Sequence, residues 1–191
     1  MAITIDGSAN TIAGLAVGGL PDGVVDTDML AANAVTSAKS SGVAKVLGGQ
    51  SKHVSGKQST SSGNWDSLAS SNAQTIQKTG SKMLVIFNTA FGGESTDGNA
   101  TFRLIRTAGG SDTTIWGTYG FYDDSNNGAG NYQSNLGSMI ILDTHGVSAS
   151  STVTYSLQGK DHDGPTAIIG GREDDGSFAH GCYITLLELD V

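Results

Sequence analysis

Cysteine occurs once in the 191 residues, as Cys182, which excludes an intrachain disulfide and every metal motif built on several thiolates. It stands in the apolar run Cys182-Tyr183-Ile184-Thr185-Leu186-Leu187, where a small buried residue is expected. Proline occurs only twice, so the chain lacks the stiffness of a proline-rich linker. Charge is sparse, 15% of residues against 37% apolar, too little for a chain kept unfolded by its own charge. Cations are scarcest: 10 Lys and Arg against 18 acids leave a net charge of −8. With no basic cluster, nucleic acid is excluded as a partner, because phosphate binding needs gathered Lys and Arg. No window approaches the roughly 18 apolar residues that a spanning helix needs. The opening Met1-Ala2-Ile3-Thr4-Ile5-Asp6-Gly7 has no basic start, so neither a leader nor membrane insertion is expected.

What is plentiful is glycine, 28 residues, together with Ser, Thr, Asn and Asp. These are turn formers, suited to many short strands joined by loops. The length holds one sandwich-sized domain with a smaller attached segment. Residues 1–45 read as that segment. Ile3, Ile5, Ile12, Leu15, Val17 and Leu20 are isolated apolar points in a glycine-rich thread, and Leu20-Pro21-Asp22-Gly23 is a turn. A helix is expected over residues 28–39, capped by Asp26 or Thr27, with Lys39 near its end and Gly42 as a stop. Leu30, Ala31, Ala34, Val35 and Ala38 share one face of it. A helix of about 12 residues is marginal alone in water, so copies of itself are the simplest support, with Leu30, Ala34 and Val35 as trimer contacts.

Residues 46–191 carry the patterns of strands. Residues 82–91 are rich in β-branched and aromatic side chains and close at Gly92-Gly93. Residues 99–107 alternate, with Phe102 and Leu104 on one face against Arg103 on the other. Further strand-like stretches cover residues 50–58, 65–77, 113–121, 132–142, 152–160, 166–169 and 181–189. Turn signals at short intervals, and no 3.6-residue period between them, predict a mainly β domain of roughly seven or eight strands folded as an antiparallel β-sandwich.

Chemistry-bearing motifs are weak. His53, His145, His162 and His180 lack the spacing of paired metal ligands and are expected in loops or on the surface. Asp161-His162-Asp163-Gly164 lacks the further ligands of a calcium loop and reads as a tight turn. Gly48-Gly49-Gln50-Ser51-Lys52 has neither the spacing nor the strand-then-helix setting of a phosphate loop. No Gly-x-Ser-x-Gly elbow occurs, and a carboxylate pair such as Asp123 with Asp174 is defined only by a separation that sequence does not give. No catalytic residue, cofactor or metal is therefore expected; a small carbohydrate-active enzyme is the lesser alternative. Trp116, Tyr119, Phe121, Tyr122 and Tyr132 surround the polar loop 123–131. Rings flanked by Asp and Asn suit contact with a sugar or a protein surface, which makes Tyr122, Asp123, Asp124 and Tyr132 the candidate receptor contacts.

Several of these segments carry a family resemblance. Ile5-Asp6-Gly7-Ser8, the stretch from Gly18-Gly19-Leu20-Pro21-Asp22-Gly23 to Asp26-Thr27-Asp28-Met29-Leu30-Ala31, and Asn33-Ala34-Val35-Thr36-Ser37-Ala38-Lys39 are similar to the attachment and shaft openings of phage tail-fibre and virion structural proteins, those of marine phages above all. Ser81-Lys82-Met83-Leu84-Val85, Phe102-Arg103-Leu104-Ile105-Arg106, Gly137-Ser138-Met139-Ile140-Ile141-Leu142-Asp143-Thr144, Ser151-Thr152-Val153-Thr154-Tyr155-Ser156-Leu157-Gln158 and Ile184-Thr185-Leu186-Leu187-Glu188-Leu189 resemble strands of their jelly-roll tip domain. The resemblance implies a homotrimer made in the host cytoplasm and resident in the virion. Its N-terminal segment would join other virion proteins of the tail or capsid, and its sandwich would face outward toward a host-surface glycan or protein. Repeated shaft modules are missing between the two parts, which raises a capsid decoration or head fibre protein as the alternative.

Overall fold

The computed structural model describes residues 4–6, 8, 11–13, 45–94, 99–117, 121–122, 133–161, 166–171 and 180–191. The chain divides into two compact units, Met1–Val43 and Ala44–Val191. In the first, β1 (Thr4–Asp6) and β2 (Thr11–Ala13) pair antiparallel, with Ile5 opposite Ile12. The helix expected over residues 28–39, with Leu30, Ala34 and Val35, lies outside the described residues.

The second unit is an antiparallel β-sandwich of β3 (Lys45–Val54), β4 (Gln58–Thr60), β5 (Asp66–Ser70), β6 (Gln74–Thr75), β7 (Lys82–Glu94), β8 (Asn99–Ala108), β9 (Ser111–Gly117), β10 (Phe121–Tyr122), β11 (Gln133–Asp143), β12 (Thr152–Asp161), β13 (Thr166–Ile169) and β14 (Cys182–Asp190). In the first sheet β7 pairs with β11 on one edge and, end to end, with β14 and β13 on the other. β3 and β4 line β14 and β13 in turn. In the second sheet β12 takes β8 on one edge and β5 with β6 along the other, while β9 and β10 line the far side of β8. Counting β3/β4, β5/β6, β9/β10 and β13/β14 as single strands gives eight, ordered 1-8-3-6 in the first sheet and 5-4-7-2 in the second. This is the winding of a jelly roll.

Alternation decides which side chains meet between the sheets. Met83, Val85, Phe87 and Phe91 of β7 are buried, as are Ile184 and Leu186 of β14, Phe102 and Leu104 of β8, and Val153, Tyr155 and Leu157 of β12. Phe91 meets Phe102 edge to face across the sheets, with centroids 5.2 Å apart. Cys182 is buried in this core, and burial pushes its thiol up to about 11 against an opposing hydrogen bond with Thr89. Crowding also explains Gly159, where a Cβ would stand 2.6 Å from Leu68 Cδ1 of the neighbouring β5 and 3.2 Å from Ala167 Cβ of the facing sheet.

Between β13 and β14 the strand is interrupted. Gly170 N donates to Ala90 O, and Gly170 O accepts from His180 N and Gly181 N, so the chain rejoins the ladder at His180 and Gly181 beside the point where Gly170 leaves it. Gly170 and Gly181 have φ of +77° and +73°, and a Cβ on Gly181 would lie 2.4 Å from Val54 O. Only glycine satisfies both demands.

Candidate functional site

Buried polar groups gather at the end of the sandwich where the chain enters at Lys45. Glu188 of β14 is fully buried. Its Oε1 and Oε2 each accept from Gln77 N at 2.9 Å, Oε1 also accepts from Lys78 N at 3.0 Å, and Ser81 Oγ donates to it at 2.6 Å. Beside it His145, expected in a loop or on the surface, lies in the loop between β11 and β12 and is only 4% exposed. Burial lowers its pKa most; the neighbouring Asp143 and Glu188 oppose that and Arg106 reinforces it. Arg106 Nη1 donates to both Asp143 oxygens at 2.8 Å, and Tyr155 OH donates to Asp143 Oδ2 at 2.8 Å. These bonds tie β8 and β12 of the second sheet to β11 of the first. The phenol of Tyr155 is pushed far up, first by burial and then by its bond to Asp143.

Ser81, His145 and Glu188 form a serine, histidine and acid set, but its wiring is wrong for nucleophilic catalysis. The acid binds the hydroxyl, and His145 Nδ1 accepts from Val147 N at 3.0 Å, whereas a catalytic imidazole must donate from Nδ1 to the acid. The set is also sealed, with Ser81 2% exposed. It holds the turn at residues 77–81 against β14.

The outer face of the first sheet differs along its length. Cross-strand partners Leu142, Leu84 and Leu187 form one row, and Ile140, Ile86 and Thr185 the next; Ile140 is 64% and Leu142 50% exposed. The following row, farther from Lys45, is polar and aromatic: Ser138, Asn88, Tyr183 and His53. His53 stacks on Tyr183 with centroids 4.3 Å apart and planes inclined by 15°, and its Nε2 lies 3.3 Å from His180 O. Ser138 Oγ donates to Asn88 Oδ1 at 2.5 Å. A cavity of about 310 Å³ opens here, lined among others by Asn88, Gly137, Ser138, His180, Gly181 and Tyr183.

On the outer face of the second sheet, Arg103 stands 4.4 Å and Lys160 Nζ 5.1 Å from the centre of the Trp65 ring. Arg103 Nε donates to Gln158 Oε1 at 2.7 Å, so this cluster is occupied by its own members.

No protein family matches the chain, and no curated protein does. Among solved structures it is similar to that of the infectious bursal disease virus Gx strain, with a TM-score of 0.38 and 10% identity over 76% of this chain and 36% of the other. It is also similar to the infectious bursal disease virus VP2 subviral particle, with a TM-score of 0.24 and 12% identity over 76% and 37%. The chain thus spans little more than a third of either (36% and 37%). The jelly-roll assignment rests on strand register alone.

Of the candidate receptor residues, Tyr122 ends β10, paired with Asn99 of β8; Asp123, Asp124 and Tyr132 lie outside the described residues. β11 begins at Gln133 opposite Gly93. Both strand ends that bound the segment 123–132 therefore sit where β7 closes, and the 13 residues of β7 carry that point about 40 Å from the end where the chain enters. Among the described residues, no group of three His, Cys, Asp or Glu could hold a metal ion, and no helix is long and apolar enough to cross a membrane. The cavity was missed by sequence reasoning. Its one local signal is Tyr183, which alternation sets on the face opposite Cys182 and Ile184.

Proposed function

We propose that the chain is a virion structural protein of a tailed phage, a fibre-like trimeric appendage attached through residues 1–45 that displays its jelly roll for adhesion to the host surface. The observation that carries this reading is the lengthwise polarity of the sandwich. The chain enters at Lys45, beside Asp190, and the strand ends bounding 95–98, 123–132 and 162–165 lie at the opposite end. A scaffold entered at one end, with these connecting segments at the other, suits an outward-facing tip, because loops carry exchangeable contacts on a rigid scaffold. Tyr122, Asp123, Asp124 and Tyr132 then belong to the distal contact surface, and Leu30, Ala34 and Val35 to the trimer seam near the anchor. Self-association also gains support from the aliphatic rows at Leu142 and Ile140, since soluble monomers seldom leave such rows wet.

The test is the full chain against a chain starting at residue 46. Light scattering should give a trimer for the full chain, and the shortened one should stay folded yet fail to join particles. A stable full-length monomer at micromolar concentration, or particles that still take up the shortened chain, overturns the reading. The lack of repeated shaft modules favours a second reading, a capsid decoration or head fibre protein. Electron microscopy of labelled particles, showing signal on the head or on the tail, separates the two.

A further inference from the structure

We propose that the cavity on the outer face of the first sheet binds one uncharged sugar unit of a surface glycan. A sugar ring presents an apolar C–H face and a rim of hydroxyls, so its site needs a flat aromatic surface beside neutral hydrogen-bonding groups. The cavity has both. Tyr183 is 51% exposed and has two ring faces. His53, which does not line the cavity, covers one of them. In the cross-strand row Tyr183 stands between His53 and Asn88, so its second face is turned along the row toward Asn88 and Ser138.

The polar groups complete the rim. Ser138 uses its only proton on Asn88 Oδ1, which leaves the Ser138 oxygen as an acceptor and the Asn88 NH₂ as a donor pair for sugar hydroxyls. Among the described residues no Asp, Glu, Lys or Arg lines the cavity, which favours a neutral ligand. Its volume of about 310 Å³ is at the lower limit of roughly 300 Å³ for small-molecule clefts, enough for a single ring and not for a chain. His53, held through His180 O, is a positioning residue that fixes the Tyr183 plane.

The inference rests on the adhesive reading only for the source of the glycan; binding itself is a property of the isolated chain. Saturation-transfer NMR on the full chain, with methyl glycosides of glucose, galactose, mannose and N-acetylglucosamine as probes, tests it. At least one probe should receive saturation on its ring C–H protons. Tyr183→Ala and Asn88→Ala should weaken that probe roughly tenfold, His53→Ala should weaken it less, and Tyr183→Trp should keep it. Asn88 and Tyr183 are exposed, so thermal melts of these variants should match the parent. No transfer from any of the four probes overturns the proposal, as does transfer that survives Tyr183→Ala or is lost in Tyr122→Ala instead. Light scattering on the same samples reports trimer formation separately, so a failed sugar site and a failed virion reading are told apart.

Discussion

The two outer faces of the sandwich have the same architecture and opposite chemistry. On the second sheet, Arg103, Gln158 and Lys160 close around Trp65, so the polar groups there find partners within their own chain. On the first, Ile140, Leu142 and Tyr183 present apolar area to solvent. A face satisfied internally gains little from a partner, while an aliphatic face returns about 25 cal/mol for each Å² it hides. The first sheet therefore offers the area that a further contact could cover, beside the seam and distal segment proposed above, whereas the outer cluster around Trp65 on the second sheet offers little.

The sharpest way to break that contrast is through what both faces share. Asp143→Ala removes the carboxylate that joins the sheets and strands Arg106, whose side chain is 14% exposed, without its partner. A loss of about 3–5 kcal/mol in urea unfolding is expected, with binding and association failing together at moderate denaturant. A loss below about 1 kcal/mol would show that the sheets hold together without this bond.

Acid should act next. The His145 pKa is held below 6.5 in the fold, so below about that pH the unfolded chain binds the extra proton first. The stability tied to neutral His145 is present above 6.5 and lost as pH falls through the folded value. Melting temperature should drop between about pH 7.5 and about 5.5, and part of that drop should vanish in His145→Gln. An identical profile for the variant would remove His145 as its source.

The smallest stability effects separate the faces directly. Arg103→Ala should cost about 0.5–1 kcal/mol through its lost place over Trp65, with no change in oligomeric state. Ile140→Lys should move stability by less than about 0.5 kcal/mol yet weaken self-association in sedimentation or light scattering. The reverse pattern would move the association surface to the second sheet. A thiol reagent sharpens the picture of the core between them. Cys182, buried and with its pKa raised to about 11, should react only when the chain unfolds; rapid labelling of the native protein would mean that this edge of the core opens readily.

Much of the fold was legible because sheet faces are written locally. The β-branched and aromatic run at residues 82–91 reads as a strand and forms most of β7, and the placing of Phe102 and Leu104 on one face against Arg103 on the other agrees with the packing. Cys182 was read correctly as core. The strand expected over residues 113–121 instead has β9 ending at Gly117 and β10 beginning at Phe121. His145 does lie in a loop, but its burial was not legible because it depends on Asp143, Ser81 and Glu188, brought together by packing that no local pattern records. The cavity escaped for the same reason: His53, Asn88, Ser138 and Tyr183 come from four strands and become neighbours only through register.

The pinch at Gly170 and Gly181 has a consequence for how such a protein diversifies. Because Ala90 O accepts from Gly170 N and Gly170 O from His180 N and Gly181 N, the point where the chain leaves β13 and rejoins β14 is closed by backbone bonds of any sequence's making, and loop closure costs little for added length. The site is in effect an open docking port for new sequence. It lies beside the cavity, since His180 and Gly181 line it, so a lineage could rewrite what its wall offers to a ligand while inheriting the scaffold unchanged.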